Sequence, residues 1–280
     1  MKNSSGTETL ERIREALEAA VSVLSSFVPG TVRVHHGSVR GPVTDADLLV
    51  NQVLREVLLR DGEGWLSEES VDDFRRLEKH RVWVVDALDG TREFVAGIPE
   101  WCVSVGLVEN RRAIAGGICN PATGETFLGS LDTGVTYNGE TVWASKKMDL
   151  ARALVLASRT EVELGEWKPF QDARLVIRPV GSVAYKLALV SAGLAEATWT
   201  LTPKNEWDVA AGVALVEAAG GFVRSLANSS LTFNNEMTLV SGFLAGGPHL
   251  REQLTSLIQR HGEGHASRAL VSTSSAQRRR

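Results

Sequence analysis

Cysteine is nearly absent from this chain. Two residues, Cys102 and Cys119, stand among 280, too few for a disulfide scaffold or a cysteine-built zinc cluster. They read as free thiols in a reducing compartment. No stretch approaches the ~18 consecutive apolar residues of a membrane span. The opening segment, Met1-Lys2-Asn3-Ser4-Ser5-Gly6, has no apolar leader, so a cytoplasmic location is expected. A positive charge excess is missing too: the formal net charge is −4, which excludes the usual electrostatic footprint of a protein that binds a nucleic-acid polymer. Internal repeats and low-complexity tracts are absent from the body of the chain. What is present is an ordinary globular composition, 43% hydrophobic and 23% charged, in a length that allows one large or two modest domains.

Periodicity organises this material. Leu10, Ile13, Leu17, Val21, Leu24 and Val28 recur at helical spacing up to Pro29-Gly30, which predicts an amphipathic first helix. Strand-like alternation follows around Val32 and Val34, with a turn at Gly41-Pro42. A second helix is expected from Thr44, carrying Leu48, Leu49, Val53, Leu54, Val57 and Leu58 inward. Gly64–Ser70 reads as a short strand ending in acids. Strands are expected at Trp101–Val108, Ala113–Cys119, Glu125–Gly129 and Val135–Tyr137, the last closed by an Asn138-Gly139 hairpin turn. Further strands are expected at Ala153–Ala157, Arg174–Ile177 and Ala195–Thr200. Helices are expected at Ser182–Ala192, Asp208–Ala219 and Leu250–Ile258. Helices fall in pairs between groups of strands, which favours a layered α+β architecture over a doubly wound sheet. A seam near residue 150 divides an N-terminal half, 1–150, from a C-terminal half, 151–262. The small, polar segment 263–280 reads as a disordered tail.

The chemistry gathers at Val82-Trp83-Val84-Val85-Asp86-Ala87-Leu88-Asp89-Gly90-Thr91. A carboxylate closing an apolar strand is costly unless it is paired or bound to a cation. Magnesium takes hard oxygen ligands of this kind, together with waters and substrate phosphate. Gly90 permits a tight turn, and the amides from Thr91 onward suit an anion. The plainer alternative is an Asp-capped turn. Phosphatases that form a phospho-aspartate also place aspartates before Gly-Thr, but with one residue between them; here Ala87 and Leu88 intervene, which weakens that mechanism. Glu68 and Glu69 end a second apolar segment and are otherwise solvated charge. Asp208 opens a helix, where a carboxylate favours the macrodipole, and Thr44-Asp45-Ala46-Asp47 matches a capping box. Each acid alone has a structural explanation. Together, at the ends of separate elements, they outline a metal cradle.

These motifs carry a resemblance. Ser67-Glu68-Glu69-Ser70, Trp83–Thr91 and Glu206-Trp207-Asp208-Val209-Ala210-Ala211-Gly212 stand in this order, with Val43–Asp47 upstream. With them the chain resembles the inositol monophosphatase superfamily of magnesium-dependent, lithium-sensitive phosphatases over roughly residues 8–260. The resemblance implies a layered αβαβα sandwich of the inositol monophosphatase and fructose-1,6-bisphosphatase type. It implies two or three Mg2+ ions held by Glu68, Asp86, the carbonyl of Leu88, Asp89 and Asp208, with Glu68 among the catalytic groups. Asp47 and Thr91 would prepare the attacking water, and Gly90 and Thr91 would contact the substrate phosphate. A homodimer is implied as well. Ala87 departs from the family's usual proline, which relaxes a φ restriction without removing a ligand.

The alcohol side is less direct. Thr200 stands where inositol phosphatases of the family place an acid, and the loop Leu201–Asn205 is one residue longer. Leu66–Glu69 and Gly90–Phe94 look more like the branch that hydrolyses 3′-phosphoadenosine 5′-phosphate, the 3′(2′),5′-bisphosphate nucleotidases. A second phosphate calls for cations, and Lys186 and Lys204 are the candidates; a surface location is the competing explanation for both. Tyr137, Trp167 and Trp199 are candidates to stack on a base, against the commoner role of core aromatics. Inositol-1-phosphate, fructose bisphosphate and histidinol phosphate remain alternative substrates. A phosphometabolite sensor that has lost catalysis is the non-enzyme alternative, and the intact acid set argues against it.

Overall fold

The computed structural model describes residues 2–35 and 42–261. Expectations for Gly41 and for the tail, 263–280, lie outside the described residues. Two sheets dominate the architecture. The larger has seven strands, ordered Gly64–Ser67, Arg81–Asp89, Cys102–Glu109, Arg112–Asn120, Glu125–Ser130, Gly134–Tyr137 and Glu140–Val142. Its first pair is parallel and the rest form an antiparallel meander. The smaller has five strands, in the order Val176–Val180, Leu154–Ser158, Ala197–Thr200, Phe243–Gly246 and Phe222–Ser225.

Helices fill the spaces between and outside the sheets. Helices Lys2–Leu24 and Asp45–Leu58 cover one face of the large sheet, burying Ile13, Leu17, Val50 and Leu54 against Trp83, Val85 and Val105. Trp83 is fully buried there, and its truncation to alanine would cost about 3–5 kcal/mol. Helices Val183–Ser191 and Glu206–Ala218 lie between the two sheets. Between the polar ends of Glu206–Ala218, the stretch Val209–Val216 is apolar all round, as a helix segment buried on every side must be. The far face of the small sheet carries Leu250, Leu254, Leu257 and Ile258 against Trp199 and Leu244. The result is the expected layered α+β sandwich of αβαβα type. Among the described residues, no helix is long and apolar enough to cross a membrane.

Close approach of the inner helix to the large sheet depends on glycine. A Cβ on Gly116 would lie 2.5 Å from the carbonyl oxygen of Ala211, and one on Gly106 would lie 2.8 Å from its amide nitrogen.

Several elements differ from the periodic reading, each for a visible reason. The first helix stops at Leu24 rather than reaching Val28, because Ser25 and Ser26 turn their hydroxyls back onto the carbonyls of Ser22 and Val23. Val28 is left exposed. In the second helix Leu48 and Leu49 are exposed, while Ala46, Asp47, Val50, Leu54 and Leu58 face inward. The inward turn of Asp47 toward Thr91 sets that rotation. One apolar stretch of the sequence, Met237–Ala245, forms no single element: strands Leu239–Val240 and Phe243–Gly246 are parted at Gly242, whose φ is 115°. The Asn138-Gly139 turn forms as expected, both residues having positive φ. Cys102 and Cys119 belong to cores on opposite faces of the large sheet and are free thiols.

Candidate active site

The central strand contains the local feature on which the site depends. Asp86 lies opposite Ser104, and Asp89 lies opposite Cys102. Three steps along one strand match two along its partner, so one extra residue is inserted as a β-bulge. In a regular strand, residues separated by three point to opposite faces. Here Ala87 and Leu88 both turn into the core under the outer helices. Asp86 and Asp89 are thereby returned to the same side.

Two other elements complete the acid group. Glu68 follows the parallel neighbour strand Gly64–Ser67, and Asp208 sits in the first turn of helix Glu206–Ala218. Carboxylate oxygens of Glu68, Asp86 and Asp208 lie within 4.8 Å of one another. Burial pushes the Asp86 carboxyl well above its ordinary value, and the charges of Glu68, Asp89 and Asp208 push the same way. Burial likewise raises Asp208, with Asp89 and Glu68 adding to it. Each still has a local donor: the Leu88 amide donates to Asp86 Oδ1 over 3.0 Å, and the Asn205 amide to Asp208 Oδ2 over 2.9 Å. Asp89 stands beside this trio, its Oδ2 accepting from Ser182 Oγ at 2.7 Å and the Ala184 amide at 2.6 Å.

The Asp47–Thr91 pair joins this group from the other side. Thr44 caps the second helix, and both its amide and its hydroxyl donate to Asp47 Oδ2, at 2.7 and 2.6 Å. The capping-box explanation for Asp47 is therefore realised. Its second oxygen is directed elsewhere: Thr91 Oγ1 lies 3.1 Å from Asp47 Oδ1 and 3.0 Å from the Leu88 carbonyl oxygen. Burial raises the Asp47 carboxyl above its usual range, against the Thr44 bonds that lower it. Gly90, at φ 98°, turns the chain between Asp89 and Thr91; a Cβ there would meet the Glu100 carbonyl at 3.0 Å.

A cleft of about 260 Å3 is lined by Glu68, Asp86, Asp89, Thr91 and Asp208 together with the basic residues Arg159, Lys186 and Lys204. None is a free surface cation. Lys186 is buried, and its Nζ donates to the carbonyls of Val180, Gly181 and Ser182 at 3.3, 3.4 and 2.6 Å. Burial lowers its pKa to about 8. Lys204 Nζ lies 3.4 Å from buried Glu161 Oε1, and Arg159 pairs with Glu100. Thr200 donates its hydroxyl to the same Glu161. The aromatic candidates go elsewhere. Trp167 and Trp199 are buried and stack on each other at 4.5 Å, and Tyr137 stacks on Phe127 at 5.0 Å.

Comparison with known proteins decides the family. The model of the inositol monophosphatase family matches residues 7–263. The chain belongs to this family. The inositol-1-monophosphatase of Mesorhizobium japonicum is 31% identical over 244 residues, covering 80% of this chain and 90% of that protein. The inositol monophosphatase of Anabaena (Nostoc) sp. PCC 7120 superposes with a TM-score of 0.76 at 26% identity, over 91% of this chain and 96% of the other. CysQ from Bacteroides thetaiotaomicron, described as a bacterial member of the family, gives 0.73 at 25% identity over 86% and 97%. The chain is thus a phosphatase that hydrolyses phosphate monoesters, in a family of metal-dependent enzymes.

The donor set fits a metal of the family's kind. Hard carboxylate oxygens converge from three elements, and a cation would relieve the burial and mutual repulsion that raise Asp86 and Asp208. Reading the sequence missed Ser182, Glu100 and Arg159. Ser182 carries a usable signal, since a serine immediately before a helical run is a cap candidate. Glu100 and Arg159 meet only through the tertiary fold and have no local signature.

Proposed function

We propose that this phosphatase is a Mg2+-dependent 3′(2′),5′-bisphosphate nucleotidase acting on 3′-phosphoadenosine 5′-phosphate. The observation that carries this reading is the mixed lining of the cleft, in which the basic side chains Arg159, Lys186 and Lys204 join the carboxylates. A substrate with two phosphates suits such a lining: one phosphate at the acids, the second drawing Arg159 and Lys204 from their pairs with Glu100 and Glu161. Glu68, Asp86, the Leu88 carbonyl, Asp89 and Asp208 would hold the ions, and Gly90 with Thr91 would lie against the scissile phosphate. Bound there, Mg2+ supplies charge neutralisation of the phosphoryl oxygens and acidification of water.

The remaining chemistry belongs to the chain. Thr91 Oγ1 takes a proton from the attacking water and passes its own to Asp47 Oδ1. The raised pKa of Asp47 makes it a better acceptor than an ordinary aspartate. The oxygen of that water attacks phosphorus in line, the P–O bond to the alcohol breaks, and the departing alkoxide is protonated from solvent. No serine, cysteine or histidine nucleophile is required, and no phosphoenzyme forms. A homodimer and a cytoplasmic location, carried from the resemblance and the sequence, complete this reading.

Inositol 1-phosphate is the second reading, favoured by the name of the Mesorhizobium relative. Against it, the chain has Thr200 at the family's acid position, and the nearby Glu161 carboxylate is buried and occupied by Thr200, Thr202, Trp167 and Lys204. A substrate panel tests both: 3′-phosphoadenosine 5′-phosphate, inositol 1-phosphate, fructose 1,6-bisphosphate and histidinol phosphate, with and without Mg2+. The nucleotide should rank first by kcat/KM. If it ranks last, the nucleotidase reading is wrong, and strong turnover without a divalent ion overturns the metal chemistry.

A further inference from the structure

Ser182 occupies a backbone conformation that serine rarely adopts, with φ 52° and ψ 130°. Such a conformation persists only where its surroundings hold it. Three groups converge here. The Tyr185 amide donates to Ser182 Oγ at 2.9 Å, capping helix Val183–Ser191. The Lys186 ammonium donates to the Ser182 carbonyl. The hydroxyl lies 2.7 Å from Asp89 Oδ2.

The direction of these bonds is fixed by chemistry. An amide can only donate, so the Tyr185 bond uses one lone pair on Oγ. An ionised carboxylate can only accept, so the single hydroxyl proton goes to Asp89. Cys102 Sγ, 3.3 Å from Oγ, can donate to the remaining lone pair. Its thiol stays protonated, because burial, with Asp89 nearby, holds its pKa well above the ordinary value.

The consequence falls on Asp89. Its Oδ2 accepts from both the Ser182 hydroxyl and the Ala184 amide, which fills the two lone pairs of that oxygen. Only Oδ1 remains for a cation. Mg2+ demands near-octahedral geometry with one oxygen per carboxylate, whereas Ca2+ readily accepts bidentate carboxylates and a larger shell.

We infer that Ser182 is a positioning residue that restricts Asp89 to single-oxygen coordination and so favours Mg2+ over Ca2+ at this site. The inference rests on the reading of Asp89 as a metal ligand.

The test is calorimetric titration of the metal-free full-length protein with MgCl2 and, separately, CaCl2, without substrate. Ser182→Ala and Ser182→Gly both remove the hydroxyl, but glycine also relieves the positive φ. Ser182→Thr keeps the hydroxyl. Both hydroxyl-less variants should lower the ratio Kd(Ca2+)/Kd(Mg2+) about tenfold, and threonine should keep it within about twofold of the wild-type value. Melting temperatures separate fold from site: glycine should melt above alanine while their ratios agree. An unchanged ratio in Ser182→Ala, with Mg2+ still bound, overturns the role of Ser182 alone. A wild-type protein that binds neither ion overturns the metal reading of Asp89, and this inference with it.

Discussion

Thr91 lies within hydrogen-bond reach of Asp47, at 3.1 Å, and so ties the turn after the central strand to the second helix. The contact joins residues 44 positions apart in sequence. In the proposed mechanism it unites the group that meets the water with the one that takes the proton.

Removing either partner should therefore affect turnover differently from stability. Thr91→Ala should lower kcat about 10²–10⁴-fold, the range of a lost general base, while leaving the melting temperature nearly unchanged. Asp47→Asn should lower kcat as much and also weaken the Thr44 cap, costing about 1 kcal/mol. Steady-state kinetics and thermal melts on the two variants read both effects. Full activity in Thr91→Ala would remove this pair from the mechanism.

The metal-free fold disfavours the charged form of Asp86. Burial is the main cause, followed by Glu68, Asp89 and Asp208. Asp86→Asn removes that charge at nearly constant shape. The metal-free variant should melt higher than metal-free wild type, by about 2 °C or more, and the stabilisation by Mg2+ should vanish. Melting curves with EDTA and with MgCl2 measure both. A variant that melts lower in EDTA contradicts the charge argument.

Lys186 gives a pH dependence of known sign. Its folded pKa, about 8, lies below the ordinary 10.5 because of burial. Between those values the unfolded chain holds the proton and the folded one has released it, so this residue makes stability rise with pH. Its penalty is complete below about pH 8 and disappears above the ordinary value. Denaturant unfolding of wild type and Lys186→Met should show a difference that moves by about 3 kcal/mol in favour of wild type across that window. Parallel curves would refute the assignment.

Gly116 tests the packing that positions Asp208. Its missing Cβ leaves room for the Ala211 carbonyl, 2.5 Å from where that atom would stand. Backbone on both sides cannot yield cheaply, so Gly116→Ala should destabilise by about 3 kcal/mol or more. Gly124, with open space around it, provides a control for handling: its φ of 70° is positive, and alanine there should cost only about 1 kcal/mol. Urea denaturation compares the two.

Much of this was legible before the fold was known. Apolar runs and turn signals located the strands Cys102–Glu109 through Gly134–Tyr137 to within a residue or two, because an antiparallel meander with short loops writes its structure locally. Asp86, Glu68 and Asp208 could be grouped through a resemblance, since each alone had an equally good explanation as a cap or surface charge. What stayed hidden depended on tertiary contact. The rotation of the second helix follows Asp47 rather than Leu48 and Leu49. Lys186 reads as a surface cation yet is buried among three carbonyls. The Arg159–Glu100 pair spans 59 positions, and no local pattern announces it.

The bulge between Asp86 and Asp89 turns the site into a matter of odd and even. Deleting Ala87 or Leu88 would leave two aspartates at even spacing and an unbroken ladder. They would face the same side again, but one strand step closer, with Gly90 and Thr91 drawn back along the sheet. A one-residue insertion also makes the spacing even: with the bulge lost the aspartates share a side two pleats apart, and with the bulge kept Asp89 turns into the opposite core. In this short window the chain length is counted residue by residue. Arg159, which opens the helix Arg159–Glu163, and Lys204, in the strand Lys204–Asn205, stand outside this window, and their replacement leaves the count from Asp86 to Asp89 untouched.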